Sequence, residues 1–299
     1  MFGNNLCGIG LMTHISVMDP TEALNAVGQL ADIEIDLAGA ALHFARVDTP
    51  LADWQAASAH LTVLAREMVD LARDIPSSTA AARAGAIASL LGRHGYAGDT
   101  CSYDDLRNAN LIRVIERRRG LPVSLGILWL HCTRAAGWAA HGLDFPGHFL
   151  VAIEGKVTPA STPHPAARVV LDVFSGGAML TNRSLLTLLR RTEGPDAELR
   201  PGVLQPMSAR AVLLRLQRNI QVRLEAAGQQ QDALACTENM LRIAPDSVGL
   251  WRDAAVLNEQ LDQVSAALKC YARVLDLVPD GEVAVRAKRA IEGLRSRLH

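Results

Sequence analysis

The sequence is poor in aromatic residues and has no excess of charge of either sign. Aromatic side chains make up 4% of its 299 residues, so a core must be built mainly from Leu, Val, Ile and Ala. Thirty basic residues stand against thirty-one acidic ones, which gives a net charge of −1 at pH 7. Because nucleic acids and anionic membranes select basic surfaces, this balance gives no argument for either kind of partner.

Cysteines are few and scattered. The five are odd in number and include no C-x-x-C pair: Cys7, Cys101, Cys132, Cys236 and Cys270. This pattern argues against a disulfide framework and against a zinc ribbon, and it favours a reducing compartment. We therefore expect a cytoplasmic protein, and the sequence gives no reason to expect a cofactor.

Long hydrophobic runs are absent as well. The longest, "LPVSLGILWL" at 121–130, is well short of the roughly 20 residues that a membrane span requires. The N-terminus lacks the basic and long apolar segments of a secretory signal. We expect no membrane association, and we expect residues 1–18 to form a flexible tail.

The first half of the chain has the periodicity of helices. "DPTEALNAVGQLADIEIDLAGAALHFARV" reads as one helical pattern, with Asp19 as its N-cap and Pro20 at its first position. Two further patterns follow, "DWQAASAHLTVLAREMVDLARD" and "STAAARAGAIASLLGRHG". In "RNANLIRVIERRRG", Asn110 is the expected N-cap and Gly120 the expected stop.

A buried helix and a hairpin are predicted next. "GLPVSLGILWLHCTRAAG" is almost wholly apolar and places Ser124 in the first turn of a helix. "HFLVAIEG" and "ARVVLDVFSGG" are short and rich in β-branched residues, which indicates strands. In an antiparallel hairpin the start of one strand faces the end of the next. His148 would then meet Asp172, whose carboxylate could orient the imidazole.

The C-terminal third contains a repeat. "DALACTENMLRIAPD" (232–246) aligns with "AALKCYARVLDLVPD" (266–280), and the two prolines differ by 279 − 245 = 34 residues, the tetratricopeptide period. We predict an all-helical domain over 206–299, made of two repeats and a capping helix from Glu282 to Leu298. Its first helices line a concave surface for a protein or peptide partner. The residues predicted to contact that partner are Arg215, Arg218, Arg252 and Glu259.

Three further stretches, "YDDLRNANLIRVIERRRGLPVSLGILWLHCTRAAGW", "GLDFPGHFLVAIEG" and "LDVFSGG", precede these repeats. Together they resemble the SirB family of bacterial transglutaminase-like proteins, over roughly residues 30–299. The resemblance implies an α+β, papain-like domain over 19–200, with a helical part (19–119) and a core (120–200) that holds a small antiparallel sheet. In that superfamily a cysteine at a helix N-terminus is the nucleophile, a histidine on the next strand the base, and an aspartate its partner. His148 and Asp172 match the last two.

The sequence departs from the superfamily at the nucleophile. Residues 120–126 contain no cysteine, and Cys132 lies eight residues beyond Ser124, the nearest hydroxyl. The leading interpretation is therefore a non-catalytic domain coupled to a repeat module for protein interaction, with a regulatory role. The alternative is an acyl-transfer or amide hydrolase that uses Ser124, His148 and Asp172, or a displaced cysteine such as Cys101.

A metal site is the third reading of the histidines. Four of them lie in one region of the sequence: His131, His141, His148 and His164. Their spacing matches no ligand motif, and a lone histidine on an apolar helix is more often a core group. We expect no metal.

Overall fold

The computed structural model describes residues 18–75, 79–155, 168–200 and 202–297. Some residues discussed from the sequence lie outside these ranges: Cys7, His164 and all of the N-terminal tail except its last residue. The chain divides into two units. The core unit is Asp32–Leu216, and the repeat unit combines the described residues before Asp32 with those after Leu216.

Helices dominate both units. In chain order they are α1 (Pro20–Gln29), α2 (Leu37–Asp48), α3 (Trp54–Arg73), α4 (Ala80–Arg93), α5 (Leu111–Arg117), α6 (Pro122–Ala135), α7 (Asn182–Glu193), α8 (Ala209–Ala226), α9 (Gln230–Ile243), α10 (Val248–Gln260), α11 (Val264–Leu277) and α12 (Gly281–Ser296). The strands are β1 (Ala97–Gly98), β2 (Arg119–Gly120), β3 (Ala140–Phe145), β4 (His148–Glu154), β5 (Arg168–Asp172) and β6 (Ala178–Leu180). None of the described helices is long and apolar enough to cross a membrane.

Two predicted N-caps are confirmed, and one predicted stop is wrong. The Asp19 carboxylate accepts from the first backbone N–H groups of α1, and the Asn110 side chain accepts from the N–H of Arg113. Helix α5 ends before Gly120, because Arg118 takes the left-handed cap position with φ 57°. Its guanidinium donates to the Tyr96 hydroxyl at 2.6 Å, which helps to hold a conformation that a residue with a side chain rarely adopts.

The continuous helical pattern over 19–47 is divided in the structure. Helix α1 stops at Gln29, a short 3-10 turn (Asp32–Glu34) follows, and α2 begins at Leu37. The expected domain began at residue 19, whereas α1 lies in the repeat unit and packs against α9. Gly28 permits this close approach, since a Cβ there would lie 2.2 Å from the Arg242 carbonyl oxygen. Periodicity alone cannot reveal such a break, because both helices carry the same apolar spacing.

The core sheet is antiparallel, as predicted, and has the strand order β3-β4-β5-β6. Phe145 pairs with His148 across the first hairpin, and Val151 pairs with Leu171 across the second. Strand β6 and the two-residue parallel ladder of β1 and β2 have no signal in the sequence. The architecture is therefore the expected one, helices on a small antiparallel sheet followed by helical repeats.

Both faces of the sheet are covered, so β4 is buried from Phe149 to Ile153. On one face Phe149 fills the space left by two glycines, Gly126 of α6 and Gly142 of β3, where added Cβ atoms would lie 2.2 and 2.7 Å from its ring. On the other face a cluster formed with α7 buries further side chains: Leu143, Phe145, Leu150, Ala152, Leu185 and Leu189. The packing of α6 and α7 thus fixes β4, whose first residue is His148.

The repeat unit follows the predicted pairing of helices. Helices α10 and α11 pack together, α9 contacts α10, and α12 covers α11. The capping helix is Gly281–Ser296, where the sequence indicated Glu282 to Leu298. Ser247 caps α10 by accepting from the N–H of Leu250. These helices bury small and aliphatic side chains against one another, as stacked repeats require.

Candidate functional site

A histidine and a carboxylate meet at one edge of the sheet. The His148 Nε2 atom lies 3.0 Å from Asp172 Oδ1, which confirms the predicted contact between the two side chains. The sequence fixes this geometry locally, since Pro146 and Gly147 form the turn before His148 and Gly147 has φ 67°, as a type II turn requires. Each side chain is 16% exposed, so solvent reaches the pair.

Asp172 is held in place by the turn that follows β5. Its Oδ1 accepts from the N–H of Phe174 at 3.1 Å, and its Oδ2 accepts from the Ser175 hydroxyl at 2.8 Å. Gly177 closes this turn with a positive φ, and a Cβ there would lie 2.3 Å from the Trp129 ring. Burial raises the pKa of Asp172, but hydrogen bonds from His148 and Ser175 more than offset it, so that the pKa lies below its usual range.

The ionised state of Asp172 assigns the protons of His148. A carboxylate can only accept, so Nε2 carries the hydrogen and Nδ1 of the neutral ring is an acceptor. Within the described ranges no residue donates a hydrogen bond to this Nδ1. The pair therefore has the arrangement of a base and its orienting carboxylate, with one ring nitrogen left for a third group.

Ser124 is not that third group in this structure. Its side chain is fully buried in the first turn of α6. The hydroxyl donates to the Asn108 carbonyl at 2.7 Å and lies 3.0 Å from the Leu121 carbonyl. Among the described residues no hydrogen bond joins it to His148. The hydroxyl thus ties the start of α6 to the preceding segment.

That preceding segment is a buried polar network. Asn108 is fully buried, and its side chain donates to the Ser102 carbonyl at 2.6 Å. Arg117 donates both to the Asn108 side chain at 2.9 Å and to the Asp99 carboxylate at 2.8 Å. The backbone hydrogen bond from Ser102 is the largest influence on the pKa of Asp99 and holds it below the usual range. Because its polar groups hydrogen-bond one another, this network has a structural role, and we call it the framework.

The cysteines of the core unit differ in accessibility. Cys132 is buried in α6, and burial raises the pKa of its thiol to about 12, which leaves it a poor nucleophile. Cys101 is exposed. The loop that carries Cys101 also carries Tyr103, whose ring centroid lies 5.7 Å from that of Phe174, two residues after Asp172.

The four predicted partner-contact residues have different environments. Arg215 is 24% exposed and belongs to the core unit, where it binds the hairpin that ends at His148. Arg218 and Arg252 are more exposed, and both contact the Asp253 carboxylate. The Glu259 carboxylate accepts from the Tyr271 hydroxyl. Arg215 is thus engaged inside the core unit, whereas Arg218 and Arg252 lie on the surface of the repeat helices.

The described histidines among those considered as metal ligands have separate contacts. His131 hydrogen-bonds the Leu61 carbonyl at 2.9 Å, and His141 lies on β3 opposite Ala152. Within the described part of the chain, no three His, Cys, Asp or Glu side chains are arranged to hold a metal ion.

Two residues that support the pair were missed from the sequence. The Thr192 hydroxyl of α7 lies 3.0 Å from the Leu189 carbonyl and 3.3 Å from the Pro146 carbonyl, and its side chain packs where a Cβ on Gly147 would stand. Ser175 binds Asp172. Asp172-Val-Phe-Ser175 has the spacing of a carboxylate followed by a turn, so Ser175 had a local signal, whereas Thr192 is distant in sequence and had none.

Two family profiles match this chain. The profile of the transglutaminase-like superfamily matches residues 55–218, and a tetratricopeptide-repeat profile matches residues 220–292. The chain belongs to the transglutaminase-like superfamily.

Its relatives include bacterial proteins named UPF0162. One from Xylella fastidiosa (strain Temecula1) is 32% identical over 193 residues, 64% of this chain and 66% of the relative. One from Vibrio cholerae is 29% identical over 200 residues, 67% of this chain and 71% of the relative. One from Pseudomonas aeruginosa is 29% identical over 246 residues, 76% and 85% of the two chains. The chain thus spans slightly less than two thirds of the length of the Xylella protein.

Proposed function

We propose that this chain is a SirB-type, non-catalytic transglutaminase-like protein of the bacterial cytoplasm, whose repeat unit binds a protein or peptide partner. The observation that carries the proposal is the state of Ser124. A serine nucleophile needs an accessible hydroxyl that donates to its base. Here the hydroxyl is fully buried and donates to a backbone carbonyl, so the His148–Asp172 pair acts in structure and ligand contact.

The repeat helices supply the surface for the partner. Arg218 and Arg252 occupy equivalent repeat positions, since 252 − 218 = 34, and they share Asp253 as an ion-pair partner. Arg252 is 59% exposed, and an exposed guanidinium can form a paired hydrogen bond with a carboxylate of a partner. We propose Arg218, Arg252 and Glu259 as contact residues. Arg215 could contact a partner only if its guanidinium released the carbonyls of the β3–β4 hairpin.

Affinity capture tests the binding proposal. The full chain is used as bait in a bacterial lysate, and recovered proteins are quantified for wild type, Arg252→Glu and Arg273→Glu. Arg273 is the control because it lies on the second helix of its repeat pair and contacts Asp246. We expect one or more proteins to be lost with Arg252→Glu and kept with Arg273→Glu. Identical recovery for all three baits would contradict the proposed surface.

Activity-based labelling tests the non-catalytic proposal. A fluorophosphonate and a thiol-directed epoxide are applied to wild type, Ser124→Ala and His148→Ala. We expect no labelling that depends on either residue. Fluorophosphonate labelling that disappears in both variants would establish the Ser-His-Asp hydrolase instead.

Cys101 is the second candidate for a nucleophile, because its exposed thiol lies in a loop that packs against Phe174, two residues after Asp172 in the chain. An enzyme of this kind would show epoxide labelling at Cys101 that falls in His148→Ala. On the non-catalytic proposal, the labelling of Cys101 is the same in wild type and in His148→Ala, as for any exposed thiol.

A further inference from the structure

One arginine binds both ends of the turn that leads into His148. The Arg215 Nη2 atom donates to the His148 carbonyl at 2.9 Å and to the Phe145 carbonyl at 3.3 Å. These two carbonyls are the ends of the Pro146-Gly147 turn. The same guanidinium forms an ion pair with Asp144. Its carbon lies 5.9 Å from the centre of the Phe149 ring, a distance at which a cation is attracted to an aromatic face.

The imidazole and the carboxylate of the pair are held from different sides. Asp172 is fixed by β5 and by the turn through Ser175. His148 is the first residue of β4, so the direction of its side chain depends on how firmly the preceding turn is held. Thr192 of α7 holds the middle of that turn, and Arg215 of α8 holds both of its ends.

We propose that Arg215 is a positioning residue for His148, which holds the Pro146-Gly147 turn so that Nε2 of the ring meets the Asp172 carboxylate. The proposal concerns the geometry of the pair, and it applies to a binding protein and to an enzyme alike. It also explains why a charged side chain predicted to face a partner is three-quarters buried in the core unit.

The contacts that hold the turn require arginine at position 215. A guanidinium presents five N–H donors in a planar fork, so it can serve a carboxylate and two carbonyls at the same time. A lysine ammonium is a compact charge on a flexible stem. Arg215→Lys should therefore keep the ion pair with Asp144 and lose the simultaneous hold on Phe145 and His148.

Nitrogen NMR of the histidine rings tests the proposal on the full chain. Protein labelled with ¹⁵N-histidine is compared as wild type, Arg215→Gln, Arg215→Lys and Arg210→Gln, with His148→Gln used to assign the signals. Arg210 is the matched control because it lies on the same helix and pairs with Asp32 at 3.3 Å. Far-ultraviolet circular dichroism and thermal melting report whether each variant is folded.

We expect His148 in wild type to be protonated at Nε2, with slow exchange of that proton. In Arg215→Gln the ring should become a mixture of tautomers and the proton should exchange several-fold faster, with a smaller change in Arg215→Lys and none in Arg210→Gln. Unchanged ring signals in folded Arg215→Gln, or equal changes in Arg210→Gln, would overturn the proposal. If Arg215→Gln does not fold, the folded Arg215→Lys variant decides alone, because it keeps a cation beside Asp144 and loses the hold on the two carbonyls. A shift of the ring signals in Arg215→Lys supports the proposal, and wild-type ring signals in Arg215→Lys refute it.

Discussion

The two parts of the expected catalytic centre differ in how the fold uses them. At the start of β4, the His148 ring is bonded to Asp172 and both side chains are partly open to solvent. At the start of α6, Ser124 is fully buried and its hydroxyl is bonded to the Asn108 carbonyl. One end keeps a polar pair whose second ring nitrogen accepts no hydrogen bond from the described residues, and the other end is part of the framework.

This difference shows that the contact between His148 and Asp172 is maintained independently of Ser124. The pair is maintained by contacts of its own, from Arg215 and Thr192 on the histidine side and from Ser175 on the carboxylate side. None of these contacts passes through Ser124. The pair therefore has structural support that does not depend on a nucleophile.

The largest expected effect comes from closing the gap between α6 and β4. In Gly126→Ala the new Cβ would lie 2.2 Å from a ring carbon of Phe149, and we expect the free energy of unfolding to fall by about 1–3 kcal/mol or more. Denaturant unfolding measures this loss. The control is Gly85→Ala at an exposed position of α4, where the new Cβ would point into open space; it should be neutral or stabilising by up to about 1 kcal/mol.

Ser124 gives a smaller effect that addresses the comparison directly. Ser124→Ala removes one buried hydrogen bond, while the Asn108 carbonyl keeps the N–H of Leu121 at 3.1 Å as a donor. We expect a loss of about 1 kcal/mol in the free energy of unfolding.

A thiol at this position should be unreactive, so native Ser124→Cys treated with iodoacetamide should be alkylated at exposed Cys101 and not at residue 124. Alkylation of residue 124, located by peptide mass spectrometry, would mean that the start of α6 is open.

The His148–Asp172 contact could be predicted from the sequence because each of its determinants is local. Pro146-Gly147 specifies a turn, β-branched runs specify two strands, and antiparallel pairing brings a strand start to a strand end. The helix around Ser124 was also predictable from Pro122 and from its apolar composition. The partner of the Ser124 hydroxyl was not predictable, because Asn108 is 16 residues away and no local pattern relates the two residues.

The role of Arg215 shows where repeat periodicity stops being informative. Counting from the repeat prolines places it on the surface of a first helix, by analogy with Arg252. Helix α8 begins at Ala209, inside the core unit, and its residues belong to the repeat unit only from Gln217 onward. The carbonyls that Arg215 binds are 67 and 70 residues away, and no local pattern encodes such a contact. The break between α1 and α2 escaped prediction for the related reason that periodicity does not record which unit a helix joins.

Buried histidines away from the pair give a further contrast, in their response to pH. Burial, followed by the nearby Arg46 charge, lowers the pKa of His43 to about 4 from an ordinary value of 6.5. Its neutral form is therefore favoured by folding, and that stability is present above about pH 6.5 and is lost as the pH falls through about 4. Over this window the free energy of unfolding should fall less steeply with pH in His43→Gln than in wild type. The difference between the two proteins at pH 7 serves as the baseline. A slope equal to that of wild type would show that His43 does not contribute to acid sensitivity.

The smallest expected effect, and the sharpest test of the comparison, is the titration of Asp172. Its pKa lies below the usual range because hydrogen bonds from His148 and Ser175 outweigh burial. The stability it contributes is thus present above its unfolded pKa and is lost as the pH falls through its folded pKa. Carbon NMR of the carboxyl group should show the pKa rising in His148→Gln and, by less, in Ser175→Ala. Ser124→Ala should leave it unchanged, because Ser124 belongs to the framework. If Ser124→Ala raises the pKa of Asp172 as much as His148→Gln does, then the two ends form one connected site, and the serine must be returned to the list of catalytic groups.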